Sequence, residues 1–267
     1  MTTRIRHVAI VSDQYALLGR FYEAVFGMKG ASDTRPERAV TVSDGYVGLN
    51  INPRKAGRPA GLDHFGLEVD DAEAACARVE RYAGLHVVRR PSTRPFAAIS
   101  AHDPAGNVFD ISQAGMEHRK SVYVEPPRES QPRALSHLAI RTLQAEAVAR
   151  FYADVFGLEL LPREGDDPGF RVTDGRVTLI FIPWDIRDYQ GSGITRPGPD
   201  HIGFRVESVQ AVKDRVVQVG DNNPHLRPLP LGAGTEGSAR LALFARCGCG
   251  THQLADPDGI LIDIAEA

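Results

Sequence analysis

The chain has no apolar run of about 18 residues, so no membrane-spanning helix is expected. Cysteine is scarce: Cys76, Cys247 and Cys249 cannot all pair, and an odd count points away from a disulfide framework and toward a reducing cytoplasm. Basic charge is not in excess either. Lys and Arg total 31 against 34 Asp and Glu, for a net charge of −3 with His neutral. No field of that sign draws in nucleic acid or an anionic membrane. The opening MTTRIRHVAI runs directly into strand-like alternation, without the long apolar core of a secretion signal. A soluble cytoplasmic protein is expected. What is present suits cores of ordinary size: 42% of the 267 residues are hydrophobic, a length for two domains of roughly 100–150 residues each.

Internal repetition is the strongest signal. RHVAI with His7 returns as SHLAI with His137, and RFYEAVFGM (Arg20 to Met28) returns as RFYADVFGL (Arg150 to Leu158). Both offsets are 130 (137 − 7 and 157 − 27). DHFGLEV at Asp63 returns as DHIGFRV at Asp200, and DPAGNVFDI at Asp103 as DPDGILIDI at Asp256, with offsets of 137 and 153. Four blocks in one order, with offsets that only grow, indicate duplication with insertions in the second copy. The polar, Pro-rich stretch between the copies, KSVYVEPPRESQPR, reads as an exposed linker. Domains at 1–118 and 134–267 follow.

Each half repeats once more. VAIVS alternates as a strand, and Tyr15 to Phe26 places Leu17, Leu18, Phe21, Tyr22 and Val25 at helical spacing, ended by Gly27. AVTVSD and YVGLNI supply strands around the Asp44-Gly45 turn. The programme then restarts: HFGLEVD as a strand, Ala72 to Tyr82 as a helix, LHVVRR as a strand, and FAAIS with NVFDIS as a hairpin across DPAG. That is βαβββ twice per half.

This arrangement, with FYxxVFG and the DPxG turns in both copies, resembles the vicinal oxygen chelate superfamily, which includes glyoxalase I, bleomycin-resistance proteins, methylmalonyl-CoA epimerase and type I extradiol dioxygenases. The resemblance covers nearly the whole chain, and four modules on one chain is the extradiol layout. It implies an α+β fold of four βαβββ modules, paired into two open-cup mixed-sheet domains with helices outside. It also implies metal ligands at His7, His64 and Asp110 in the first half and at His137, His201 and Asp263 in the second. Two imidazoles and a carboxylate form the facial triad associated with non-haem Fe(II), with other positions open. Fe(II) is therefore the expected cofactor, with Mn(II) or Zn(II) as alternatives.

Glyoxalase-like members add a Glu on the last strand of the first module. Counting four residues past the Gly of the DG turn gives Leu49 and Leu179, which cannot ligate; Asn50 would serve only if the register slipped by one. Three protein ligands are thus expected.

Two departures from the extradiol pattern bear on function. The carboxylate is Asp where that group normally has Glu. The Tyr three residues before the DP-turn Asp is replaced by Gln253, and by Ser100 in the first half. The acid–base His of that group falls near Arg176, which cannot act as a base at ordinary pH. Arg176 and Gln253 are accordingly expected to orient substrate or stabilise developing negative charge.

The leading expectation is an extradiol-type ring-cleaving dioxygenase acting on a catechol-like substrate, its productive metal on His137, His201 and Asp263. The alternatives are a glyoxalase- or epimerase-like lyase or isomerase, and a bleomycin-resistance-like binding protein without chemistry. In each case the partner is a small molecule with vicinal oxygens, and a homo-oligomer is compatible. The long Gly- and Pro-rich stretch from Asp221 to Gly250 reads as either a lid or a surface insertion. Cys247 and Cys249 match no ordinary zinc spacing, His252 should face away from the cup if Gln253 faces it, and Trp184 and Tyr189 are expected to cover a joint between modules or to line the cup mouth.

Overall fold

β-Branched and apolar residues on alternate positions of TRIRHVAIVS form β1 (Thr3–Ser12), buried along nearly its whole length. It feeds α1 (Tyr15–Phe26), whose Leu18, Phe21, Tyr22 and Val25 make one buried face, and Gly27 ends the helix in the left-handed conformation (φ 70°). The computed structural model describes residues 2–31, 39–82, 84–91, 95–116, 119–163, 165, 167–185, 194–231, 234–247 and 250–267. Cys249 and Tyr189, and the Cys247 side chain, lie outside the described part.

The first half continues with β2 (Lys29–Gly30), β3 (Val40–Ser43), β4 (Gly48–Pro53), β5 (Gly61–Val69), α2 (Ala72–Arg81), β6 (Val87–Arg89), β7 (Ile99–His102) and β8 (Val108–Gln113). Its eight strands make one sheet in the order β2-β3-β4-β1-β5-β8-β7-β6. The two module-opening strands, β1 and β5, run antiparallel at the centre, and each pairs in parallel with the last strand of its own module. The second half has β9 (Arg133–Thr142), α3 (Ala145–Phe156), β10 (Glu159–Leu160), β11 (Phe170–Thr173), β12 (Thr178–Pro183), β13 (Gly198–Val206), α4 (Val209–Asn222), α5 (Gly234–Cys247), β14 (His252–Ala255) and β15 (Leu261–Glu266). Its sheet repeats the plan in the order β10-β11-β12-β9-β13-β15-β14. The fold is mixed α+β, with two curved sheets that do not close into barrels.

The fourth module departs from the βαβββ plan. Among the described residues only two strands follow α4, and the stretch expected to be a lid or a loose insertion contains α5. No described helix is long and apolar enough to cross a membrane.

Helices α1 to α4 lie outside the cups but are not exposed to solvent on both sides, because the halves dock through them. Phe26 of α1 stacks on Phe204 of β13 at 3.9 Å between ring centres, and Tyr152 of α3 lies edge-on to Phe109 of β8 at 5.4 Å. The polar contacts across the seam come in reciprocal pairs. The Tyr22 hydroxyl donates to Asp256 (2.8 Å) and the Tyr152 hydroxyl to Asp103 (3.4 Å). The Ile5 amide donates to Asp174 (2.7 Å) and the Leu135 amide to Asp44 (2.9 Å). Duplicated residues thus meet across an approximate two-fold, and one hydrophobic core runs through both halves.

The linker is more than an exposed tether. Arg119, Val122 and Tyr123 are buried against the first half, with Arg119 donating to Thr41 and Asn50 (2.6 Å each) and its guanidinium 4.0 Å from the Phe96 ring centre. A stretch of polar composition therefore anchors through a few residues, which composition alone does not reveal.

Candidate metal centres

The sheet pairing carries one site from β1, β5 and β8 and the other from β9, β13 and β15. His7, His64 and Asp110 converge so that one ligand atom from each lies within 4.8 Å of the others, and so do His137, His201 and Asp263. In the first triad, His64 Nε2 is 3.2 Å and His7 Nε2 3.8 Å from Asp110 Oδ2. In the second, His137 Nε2 is 3.7 Å from Asp263 Oδ2. Donors bonded to one ion at about 2.0–2.2 Å in adjacent positions sit roughly 3 Å apart, so these spacings suit a single ion.

Local structure aims each ligand. Opposite His7 on the neighbouring strand is Gly66, and opposite His137 is Gly203. A Cβ at Gly66 would stand 2.0 Å from the His7 ring, and one at Gly203 1.9 Å from the His137 ring. Each imidazole lies flat across a glycine, which is why the HxG pattern recurs in both halves. The register also skips a residue beside each second histidine. Ala9 pairs with His64 but Ile10 with Leu62, and Ala139 pairs with His201 but Ile140 with Pro199. The extra residues are Asp63 and Asp200, set in bulges that re-aim their side chains.

Those two aspartates are candidate site residues that the sequence motifs did not single out. Asp63 accepts from His64 Nδ1 (2.8 Å) and Asp200 from His201 Nδ1 (2.6 Å). A carboxylate behind an imidazole fixes its tautomer, orients the ring and leaves Nε2 for a metal. The repeated DH dipeptide was the available signal. Strict alternation, however, sends neighbouring side chains to opposite faces, and only the bulge overrides it.

The electrostatics fit a cation. Among the described residues, His137 Nε2 and His201 Nε2 are buried with no hydrogen-bond partner, an arrangement costly without something to bind. Burial pushes the His137 imidazole well below its ordinary range, aided by His201 and Arg171, so it is neutral and its lone pair is available. Burial opposes charge on His64 too, but hydrogen bonds to Asp110 and Asp63 outweigh it and raise its pKa to about 9. A proton there does part of the work a metal would do. Burial alone would raise Asp200; His201 and Arg141 reverse this and bring it down to about 2.

Gln253 lies in register with Asp263 and donates to it (3.1 Å), while the Gly250 amide donates to the other carboxylate oxygen (2.7 Å). Ser100 holds Asp110 in the same way. The residues at the extradiol Tyr position therefore hold the candidate carboxylate ligand.

Arg176 requires a correction. It is in the turn between β11 and β12, where it donates to the Pro126 carbonyl (3.0 Å) and to Gln131 and stacks over Tyr46 at 4.4 Å. That is the seam between the halves, and the structure does not bring Arg176 to either triad. The position that the resemblance assigns to an acid–base His thus falls in a turn.

Leu49 and Leu179 are buried in the core, as non-ligating residues should be. Asn50, however, lines the cup of the first half with no slipped pairing. The turn is what differs: the Asp103 and Asp256 amides donate to the fourth residue on (Asn107, Ile260), whereas the Asp44 and Asp174 amides donate to the third (Val47, Val177). One residue fewer in the turn makes Asn50 and Ile180 the positional counterparts of Asp110 and Asp263. The Asn50 amide oxygen accepts from Thr41 (3.0 Å) and Arg119.

The two cups differ in access. The first opens into a cleft of about 700 Å³ that includes His7, His64, Asp110, Asn50, Asn52 and Phe96 in its lining, within the size range of small-molecule sites. In the second, Phe244 of α5 packs edge-on over His201 at 4.5 Å and is 2% exposed, and His201 has no exposed surface at all. Ala139, Ile180 and Ile182 form an apolar cluster where the first half has Ala9, Asn50 and Asn52.

Among curated protein sequences none matches the chain. Solved structures do match over its full length. The 2,3-dioxygenase LapB from Pseudomonas sp. KL28 is 18% identical, with 99% of this chain and 92% of that one covered and a TM-score of 0.62. The Mn(II)-bound glyoxalase from Novosphingobium aromaticivorans is 15% identical, with 98% and 81% covered and a TM-score of 0.63. The 2,2',3-trihydroxybiphenyl 1,2-dioxygenase from Sphingomonas wittichii strain RW1 is 14% identical, with 100% and 91% covered and a TM-score of 0.63. At such identities the likeness is one of fold. The glyoxalase/bleomycin resistance protein/dioxygenase family model, in contrast, matches the sequence twice, at residues 4–111 and 134–264, so the chain belongs to that superfamily.

Proposed function

We propose that the chain is a metal-dependent enzyme acting on a small molecule with vicinal oxygens, and that its reaction is dioxygenase-type ring cleavage of a catechol-like compound. The observation that carries this reading is the pair of His-His-Asp triads, each backed by a carboxylate on one imidazole. A divalent metal, with Fe(II) the best match to a two-histidine, one-carboxylate set, supplies Lewis acidity toward adjacent substrate oxygens and open positions for dioxygen chemistry. The protein's part is positional. Asp63 and Asp200 hold the imidazoles, Ser100 and Gln253 hold the carboxylates, and the cleft wall around Phe96 gives a flat ring an apolar face.

The test is anaerobic reconstitution with Fe(II), followed by O₂ and a broad catechol panel. Coloured ring-cleavage product and O₂ uptake in equal amounts are expected. Absence of both across the panel, in protein that retains iron, contradicts ring cleavage. A lyase or isomerase reading is favoured by one observation, that Gln253 and Ser100 stand where the extradiol Tyr would. Turnover with Zn(II) or Ni(II) that does not need O₂ would select it.

A further inference from the structure

The proposed function leaves open which cup does the work and what kind of substrate enters it. The two cups contain the same triad but are not equivalent. In the second, Phe244 of α5 packs over a fully buried His201 above a floor of Ala139, Ile180 and Ile182, so that among the described residues His201 is closed to solvent. The first is open and its floor presents the amides of Asn50 and Asn52.

Charge in the open cup is unbalanced. Lys55, Arg58 and Arg90 line the cleft with the carboxylates of Asp63 and Asp110. Arg58 reaches Asp63 at 3.1 Å and Arg90 reaches Asp110 at 3.4 Å, but both carboxylates are already committed to histidines. A divalent ion on the triad adds two more positive charges. Three cations and the ion against two carboxylates leave the cleft strongly positive, although the whole chain carries a net −3. A concave site of one sign concentrates ligands of the other sign.

We infer that the first-half cup is the reaction chamber and that its substrate carries an anionic group, a carboxylate or its equivalent, in addition to its vicinal oxygens. The oxygens face His7, His64 and Asp110, the body of the substrate rests against Phe96, and the anionic group meets Lys55 and Arg58. Arg90 has a different job: it leans on Asp110 and so ties the mouth of the cup to the carboxylate ligand. Residues 51–60 therefore set specificity. This inference rests on the metal-dependent reading above.

The experiment compares two probes with identical vicinal hydroxyls, catechol and 3,4-dihydroxybenzoate. Each is titrated calorimetrically into the anaerobic Mn(II)-loaded chain, with metal content measured on the same sample. The expected result is that 3,4-dihydroxybenzoate binds at least about tenfold more tightly, a difference of about 1.4 kcal/mol. Lys55→Gln and the Lys55→Gln/Arg58→Gln pair should shrink that ratio to about threefold or less and weaken the salt dependence of 3,4-dihydroxybenzoate binding, and Lys55→Gln should leave catechol affinity within about twofold. Lys55 lines the first-half cleft, so its effect also locates the site. Equal affinity for the two probes, or an unchanged ratio in the double variant, overturns the inference while leaving the metal reading intact. A metal-loaded chain that binds neither probe overturns it as well. A chain that holds no metal removes both readings together.

Discussion

At each second histidine, one residue more than simple pairing requires decides how the ligand is held. The bulged Asp63 and Asp200 face His64 and His201 only because the register skips a place, and their role is to fix a ring that would otherwise rotate. Losing a partner of this kind typically costs about 10–100-fold in metal affinity. Asp63→Asn is therefore expected to weaken the first-half site by about that factor, and Asp200→Asn the second, with each variant leaving the other site unaffected. Competition with a fluorescent chelator measures both, and equal affinity in variant and parent would argue that the aspartates serve only the fold. The residues that converge in each triad were legible from the duplicated motifs. The orienting aspartates were not, because strand alternation sends them to the wrong face unless the bulge is known. Asn50 was placed one position off the cup for a related reason, a turn one residue shorter than its counterpart.

Among elements, α5 separates the halves most clearly. Its sequence, GTEGSARLALFARC, carries glycines that weaken a helix, and Phe244 is its buried large apolar residue among the described side chains. A helix there was hard to read, since tertiary contact with the cup supplies what propensity lacks. By contrast α1, at Tyr15–Phe26, matches the range read from its periodic apolar residues, because that periodicity comes from the packing itself. Phe244→Ala tests the closure. Removing a buried ring costs about 3–5 kcal/mol where the site cannot collapse, here paid by local loosening of α5. Metal should then leave the second-half site at least about tenfold faster under excess chelator, while release from the first half is unchanged. Unchanged release from both sites would mean that α5 does not gate access.

Across the whole molecule, the two halves are joined by buried carboxyls as well as aromatic stacking. Burial pushes Asp256 up to about 7 while it accepts from the Tyr22 hydroxyl; burial raises its counterpart Asp103 in the same direction. In the unfolded chain such a carboxyl ionises near about 4. Between those values the unfolded state sheds its proton first, so stability falls as pH rises through that window and levels off above about 7. Asp256→Asn should make the slope shallower in thermal melts followed from about pH 4 to about pH 8; an identical slope would place the pH dependence elsewhere. Duplication was visible at this scale from the offsets alone. The reciprocal seam was not, because Tyr22 and Asp256 are far apart in the chain and neither belongs to a motif that announces a partner.

The central claim is that both triads hold metal, and metal stoichiometry tests it most directly. Freshly purified protein, loaded with Fe(II) or Mn(II) and freed of loose ions, is analysed beside His64→Ala and His201→Ala. The account predicts about two equivalents per chain in the parent and about one in each variant. No bound metal in the parent, or a content unchanged by both substitutions, would contradict it.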